Sequence, residues 1–146
     1  MVRSFVQPAL QEVETLDAGF EGSTEELMRA NFETAFRLLV NNRKANLVIH
    51  LLIAEGAQFP ELVEFYYREI VQRGMDMIRR VLERGVARRE FRRSRLTDFP
   101  QILFAPVMAA IVWKLTFSKR HPLDLEEYAK AQFDLVMNGL KIAKSK

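Results

Sequence analysis

Residues 55–92, EGAQFPELVEFYYREIVQRGMDMIRRVLERGVARREFR, contain no proline after Pro60 and no turn cluster before about Arg89. Proline is tolerated in the first turn of a helix, so Pro60 marks a start. At helical spacing Val63, Tyr66, Tyr67, Ile70, Val71, Met77, Ile78, Val81 and Leu82 share one wide arc, with Gly74 and Gly85 in its middle. Gln72, Glu69, Asp76, Arg80 and Glu83 form a narrower polar strip opposite. An arc wider than the usual surface stripe predicts a helix covered on several sides. At about 1.5 Å per residue it crosses a small domain, so the other helices are expected to pack around it.

The totals suit that picture. The chain has 146 residues, enough for one domain (1–146) with a real core, and is 49% hydrophobic and 28% charged. With no cysteine, disulfides, thiolate zinc sites and cysteine nucleophiles are excluded. A net charge of +3 is too mild to argue for nucleic acid. The N-terminus MVRSFVQPALQ has no long apolar core, and the uncharged run Phe99–Trp113 is too short to span a bilayer. These features point to a soluble cytoplasmic protein with no membrane contact.

Six helices and no strand are expected. The first covers residues 1–18, with Pro8 kinking it or marking its true start. Ser23-Thr24-Glu25-Glu26 is a capping box opening the second helix, which Asn41-Asn42 ends. The third runs from Arg43 to Gly56 and, apolar from Leu47 to Ala54 except His50, is expected to be buried nearly all round. The long helix is fourth. Asp98 or Thr97 caps the fifth, which continues to about Ser118. Pro106 lies inside it and removes the donor for the Ile102 carbonyl. Asp124-Leu125-Glu126-Glu127 is a second capping-box pattern, opening a last helix that reaches about Ala143. The last two helices carry more apolar surface than a lone domain needs.

Sites for chemistry are few. His50 and His121 are far apart and belong to no metal-spaced helical pair. His50 reads as a hydrogen-bonded core or pocket-wall residue, or as a polar ligand contact. Glu55 sits on an apolar wheel position, as a structural ion-pair partner or as a polar anchor in an apolar cavity. Nucleophile and phosphate-loop motifs are absent, and no enzyme is expected. The arginines from Arg79 to Arg95 read as the solvated, dipole-favoured end of a helix rather than a nucleic-acid patch, because no aromatics interleave them. Phe36, Phe59, Tyr66, Met75, Phe104, Met108 and Trp113 mostly suit a core. The two glycines and the Pro106 kink, however, leave gaps that suit an apolar ligand cavity.

The segment Ala54-Glu55, Phe59-Pro60-Glu61-Leu62, Phe65-Tyr66-Tyr67, Arg73-Gly74, Leu82-Glu83-Arg84-Gly85-Val86-Ala87-Arg88 and Glu90-Phe91-Arg92 resembles the effector-binding domain of TetR/AcrR-type transcriptional regulators. His121-Pro122-Leu123-Asp124-Leu125 through Asn138-Gly139-Leu140 resembles that domain's last helix. One departure is Arg89, where the pattern usually has glycine. A left-handed arginine is strained, so the helix is expected to end differently. The chain also begins where the family's linking helix would, so it looks like a regulator without its helix-turn-helix.

The resemblance implies an all-α, six-helix effector domain whose last two helices form a four-helix-bundle dimer interface. It implies a ligand-sensing and dimerising role in a repressor, with an apolar small molecule relieving DNA binding in the intact protein. The alternative is a purely structural helical dimer module. Expected partners are a second copy, a small apolar or aromatic ligand, and DNA only through the missing N-terminal unit. No cofactor or metal is expected. Expected ligand contacts are Phe36, His50, Glu55, Phe59, Tyr66, Met75, Phe104, Met108 and Trp113. Expected dimer contacts are Val107, Ile111, Leu115, Tyr128, Phe133, Val136 and Leu140.

Overall fold

The computed structural model describes residue 14 and residues 19–142. Five joined helices account for these residues, not six. Helix α1 (residues 24–40) joins an α-helix, Thr24–Ala35, to a π-helical turn, Phe36–Val40. Helix α2 is Arg43–Glu55, with a short 3-10 turn, Gly56–Gln58, after it. Helix α3 (residues 60–87) runs Pro60–Tyr66, π turn Tyr67–Val71, then Gln72–Ala87. Helix α4 is Gln101–Thr116 and α5 is Leu125–Leu140. The helix expected over residues 1–18 lies outside the described residues, apart from Glu14, which is helical. The π turns widen α1 and α3 without breaking them, so neither adds a boundary.

Local signals place most starts. Ser23 Oγ accepts the Glu26 N–H at 3.1 Å, and Asp124 Oδ1 accepts the Glu127 N–H at 3.2 Å. Pro60 occupies the first turn of α3. Helix α1 ends at Val40 with Asn41 as its C-cap, and Asn42 Oδ1 accepts from Ala45 N–H at 3.2 Å and caps α2. Neither Asp98 nor Thr97 caps α4. Ser94 instead caps a 3-10 turn, Arg95–Thr97, and Pro100 precedes α4 without a side-chain cap. Helix α4 continues through Pro106 but ends at Thr116, and α5 ends at Leu140.

The end of α3 keeps a left-handed residue despite the arginine. Arg89 has φ 59°, and the chain closes a Schellman motif. Glu90 N–H donates to Gly85 O at 2.8 Å and Arg89 N–H donates to Val86 O at 3.1 Å. The expected different ending is therefore corrected: the paired carbonyls hold the turn, and Arg89 bears the strain. The chain then meets the end of α5 through an antiparallel bridge between Phe91 and Lys141, with Arg92 N–H on Leu140 O at 2.8 Å.

The core has two parts. One gathers Leu27, Met28, Val81, Leu82, Phe91, Leu103, Phe133, Met137 and Leu140 from α1, α3, α4, α5 and the bend after α3. The other gathers Phe36, Val40, Ile49, Val107, Ala110 and Ile111 from α1, α2 and α4. Each large side chain so buried contributes about 1.5–3 kcal/mol. Two expectations of burial are corrected. The first two turns of α3, Pro60–Tyr66, contain no buried residue. In α2, Leu47, Leu51 and Ile53 are 52%, 45% and 66% exposed, because only the side bearing Ala45, Asn46 and Ile49 meets a neighbour. Apolar composition tells which residues avoid water, not how many neighbours a helix has.

Candidate ligand cavity

The two core clusters do not merge. Between them lies a cavity of about 390 Å³, lined by Met28 and Val81 from one cluster, Ile49 and Val107 from the other, and Leu103 at the seam. Helix α1 adds Asn31, Phe32, Thr34, Ala35, Leu38 and Leu39; α2 adds Leu52 and Ile53. From α3 come Val63, Tyr66, Ile70, Val71, Gly74, Met77 and Ile78, from α4 Phe104 and Met108, and from α5 Gln132. The volume lies in the range of small-molecule pockets. Of the lining residues, Ile53 and Val63, on α2 and the start of α3, are exposed.

Both π turns border this space. Tyr66 immediately precedes the turn Tyr67–Val71, and Leu38 and Leu39 lie within the turn Phe36–Val40. A π turn inserts one residue into a helix and re-aims the side chains around it, a feature frequent at functional sites. Gly74 opens the wall further, since a Cβ built on it would meet nothing within 4 Å. Of the two glycines expected to leave gaps, Gly74 does so in a bulky arc, whereas Gly85 is filled by the Phe91 ring and lies outside the lining. No sequence signal existed at Gln132, a polar residue that packs inward.

Among the described residues, no Lys, Arg, His, Asp or Glu lines the cavity. The nearest charge of α4, Lys114, is turned to the second cluster, where Nζ donates to Val40 O at 2.6 Å beside Asn46 Nδ2 at 3.1 Å. Those bonds satisfy a carbonyl left over at the end of α1. Gln132 Nε2 donates to Leu103 O at 2.8 Å. Burial pushes the Tyr66 phenol above its ordinary value, so it stays protonated at neutral pH.

The residues expected at a ligand divide sharply. Tyr66, Phe104 and Met108 come together in the wall. Phe36 packs in the second cluster, its ring 6.1 Å from that of Tyr128. Met75 is buried away from the cavity lining, His50 is exposed, and Glu55 is half-buried at the end of α2. Phe59 is 52% exposed. Trp113 lies on the outer side of α4, donating from Nε1 to His121 O at 2.6 Å and packing on Phe117.

The residues expected at a dimer face divide as well. Val107, Ile111, Phe133 and Leu140 are spent on the chain's own core. Tyr128 is half-buried and donates its hydroxyl to Pro106 O at 2.6 Å; Val136 is half-buried and Leu115 is 36% exposed. The outer apolar surface is carried instead by Ile102, Ala105, Ala109, Val112 and Trp113 of α4, and by Ala131 and Leu135 of α5.

The arginine run is structural as well as solvated. Arg84 donates to Thr24 Oγ1 at 2.9 Å and to Gly22 O at 2.8 Å, and Arg79 donates to Thr97 O at 3.2 Å. Arg92 Nε donates to Gly139 O at 2.6 Å. Arg73 pairs with Glu14 at 2.9 Å, not only along its own helix. Among the described residues no group of three or more His, Asp or Glu side chains could hold a metal ion, and no helix is long and apolar enough to cross a membrane.

Residues 21–135 match the family model described as tetracyclin repressor-like, C-terminal domain. The match covers well over half of the chain, which therefore belongs to this family of TetR-type regulatory domains. Neither the curated proteins nor the solved structures supplied a match.

Proposed function

We propose that residues 1–146 act as one ligand-sensing and dimerising domain of a cytoplasmic TetR-type transcriptional repressor. An apolar small molecule enters the cavity and relieves DNA binding in the intact protein. The observation that carries this reading is the uncharged cavity between the two core clusters, bordered by both π turns. A single packed core would stabilise the chain better, since unfilled volume costs about 24 cal/mol per Å³ in comparable cores. Retaining that volume next to two helix distortions fits a binding role. Tyr66, Phe104 and Met108 are the ligand contacts we assign from both sequence and placement.

The link outward runs through α3. Arg73 neighbours the cavity-wall residue Gly74 and holds Glu14, in the segment expected to lead toward a DNA-reading unit. Movement of the wall on ligand binding would thus reach that segment. DNA itself is contacted by a helix-turn-helix outside these residues. Dimerisation uses the outer surface of α4 and α5, where Ala105 and Ala109 permit close approach and Ile102, Val112 and Leu135 supply apolar area.

Denaturing extraction of the purified protein followed by mass spectrometry tests the ligand reading. Recovery of an apolar small molecule in near-stoichiometric amount is expected. An empty protein that also fails to bind any apolar probe would overturn the reading in favour of a purely structural module.

A further inference from the structure

Among the described residues, the Tyr66 hydroxyl stands out as a polar group that the cavity can offer a ligand. Of its four polar side chains, Gln132 has its Nε2 engaged by Leu103 O, and its Oε1 is sealed beneath the wall with no accessible surface. Asn31 Oδ1 is sealed in the same way, and Thr34 is half-buried in the wall. Tyr66 differs. Its ring lines the cavity, it is deeply enough buried to raise its pKa, and no hydrogen bond within the described residues engages its hydroxyl. The hydroxyl is not among the sealed atoms.

On the reading that this cavity binds a ligand, we infer that the ligand is uncharged and carries one hydrogen-bond acceptor, a ketone, ester or lactone oxygen, which the Tyr66 hydroxyl meets. Two physical facts select this class. A carboxylate or ammonium would enter a largely apolar chamber without a counter-charge among its described lining residues, and a bare ion in such surroundings is strongly disfavoured. A phenol kept protonated by burial is a better donor than acceptor, so a carbonyl oxygen suits it. Apart from Asn31, Thr34, Gln132 and Gly74, the rest of the described wall is aliphatic, aromatic or Met, and accommodates the remainder of the molecule by shape.

Three probes of matched size separate the possibilities: valerophenone (a ketone), pentylbenzene (its hydrocarbon counterpart) and phenylpentanoate (an anion). Calorimetric titration of the whole chain at neutral pH is run on wild type and Tyr66→Phe. Tyr66→Phe removes one oxygen and no bond within the described residues, and pentylbenzene binding reports that the variant's cavity is intact. The inference expects valerophenone to lose about threefold to tenfold in affinity in Tyr66→Phe, with pentylbenzene unchanged and phenylpentanoate weakest on both proteins. Equal loss for ketone and hydrocarbon, or no loss for either, overturns the inference while the cavity reading stands. So does tightest binding of phenylpentanoate. Failure of all three probes on wild type overturns the cavity reading, and this inference with it.

Discussion

The ring of Phe91 covers Gly85 so closely that a Cβ on that glycine would overlap the ring. Gly85 lies in the last turns of α3, and Phe91 belongs to the bend that follows and is 3% exposed. The contact folds the bend back onto its own helix while Phe91 enters the first core cluster. Gly85→Ala should therefore destabilise by about 1–3 kcal/mol, the cost of overpacking a filled site, despite alanine's better helix propensity. Urea unfolding of the variant measures it. An unchanged or raised midpoint would show that the bend moves away freely.

Arg89 bears the opposite error. Its φ of 59° suits glycine, and a left-handed backbone costs an L-residue about 1–2 kcal/mol. Arg89→Gly should stabilise the fold by up to about 1 kcal/mol after the added freedom of the unfolded chain is deducted. Thermal unfolding should show the raised midpoint.

Glu90 connects the same bend to the start of α1, accepting the Thr24 N–H at 2.7 Å. Burial alone pushes its carboxyl up, but the Thr24 bonds and the charges of Arg88 and Arg84 outweigh it and hold it below 4.5. A depressed folded pKa stabilises above the unfolded value and is lost as pH falls through the folded one. Stability should thus decline as pH drops below about 4.5, and Glu90→Gln should flatten that decline. Chemical denaturation at stepped acid pH gives the comparison.

Leu135 is 72% exposed on α5, so replacing it costs the isolated chain little. Leu135→Asp should leave monomer stability within about 0.5 kcal/mol and dissociate a dimer built on that face. Sedimentation velocity at micromolar concentration distinguishes the two species. A wild-type monomer under the same conditions would remove the dimer from the account.

The legible parts of this fold were those written in local chemistry. Ser23, Asp124 and Pro60 place helix starts because capping and proline geometry act within one turn. Gly74 pointed toward a cavity because it leaves space in a bulky arc. Long-range placement was illegible. Arg84 reaches Thr24 and Gly22 across sixty residues, and Val107, Ile111 and Phe133 turn inward while Ile102 and Leu135 face out. A helix apolar on every side gives no phase, so which side meets its own chain depends on neighbours that periodicity does not contain. The π turns were hidden as well, since Phe36–Val40 and Tyr67–Val71 carry no residue that marks an inserted position.

The central claim is that the cavity is a binding site, and Gly74 offers its most direct test. A Cβ on Gly74 would meet nothing within 4 Å, and glycine lies about 0.8–1 kcal/mol below alanine in helix propensity, with leucine ranked close to alanine. Titration with pentylbenzene should show saturable binding to the wild-type chain and at least tenfold weaker binding to a Gly74→Leu variant of equal or greater stability. Equal binding by both proteins, or none by either, would contradict the account.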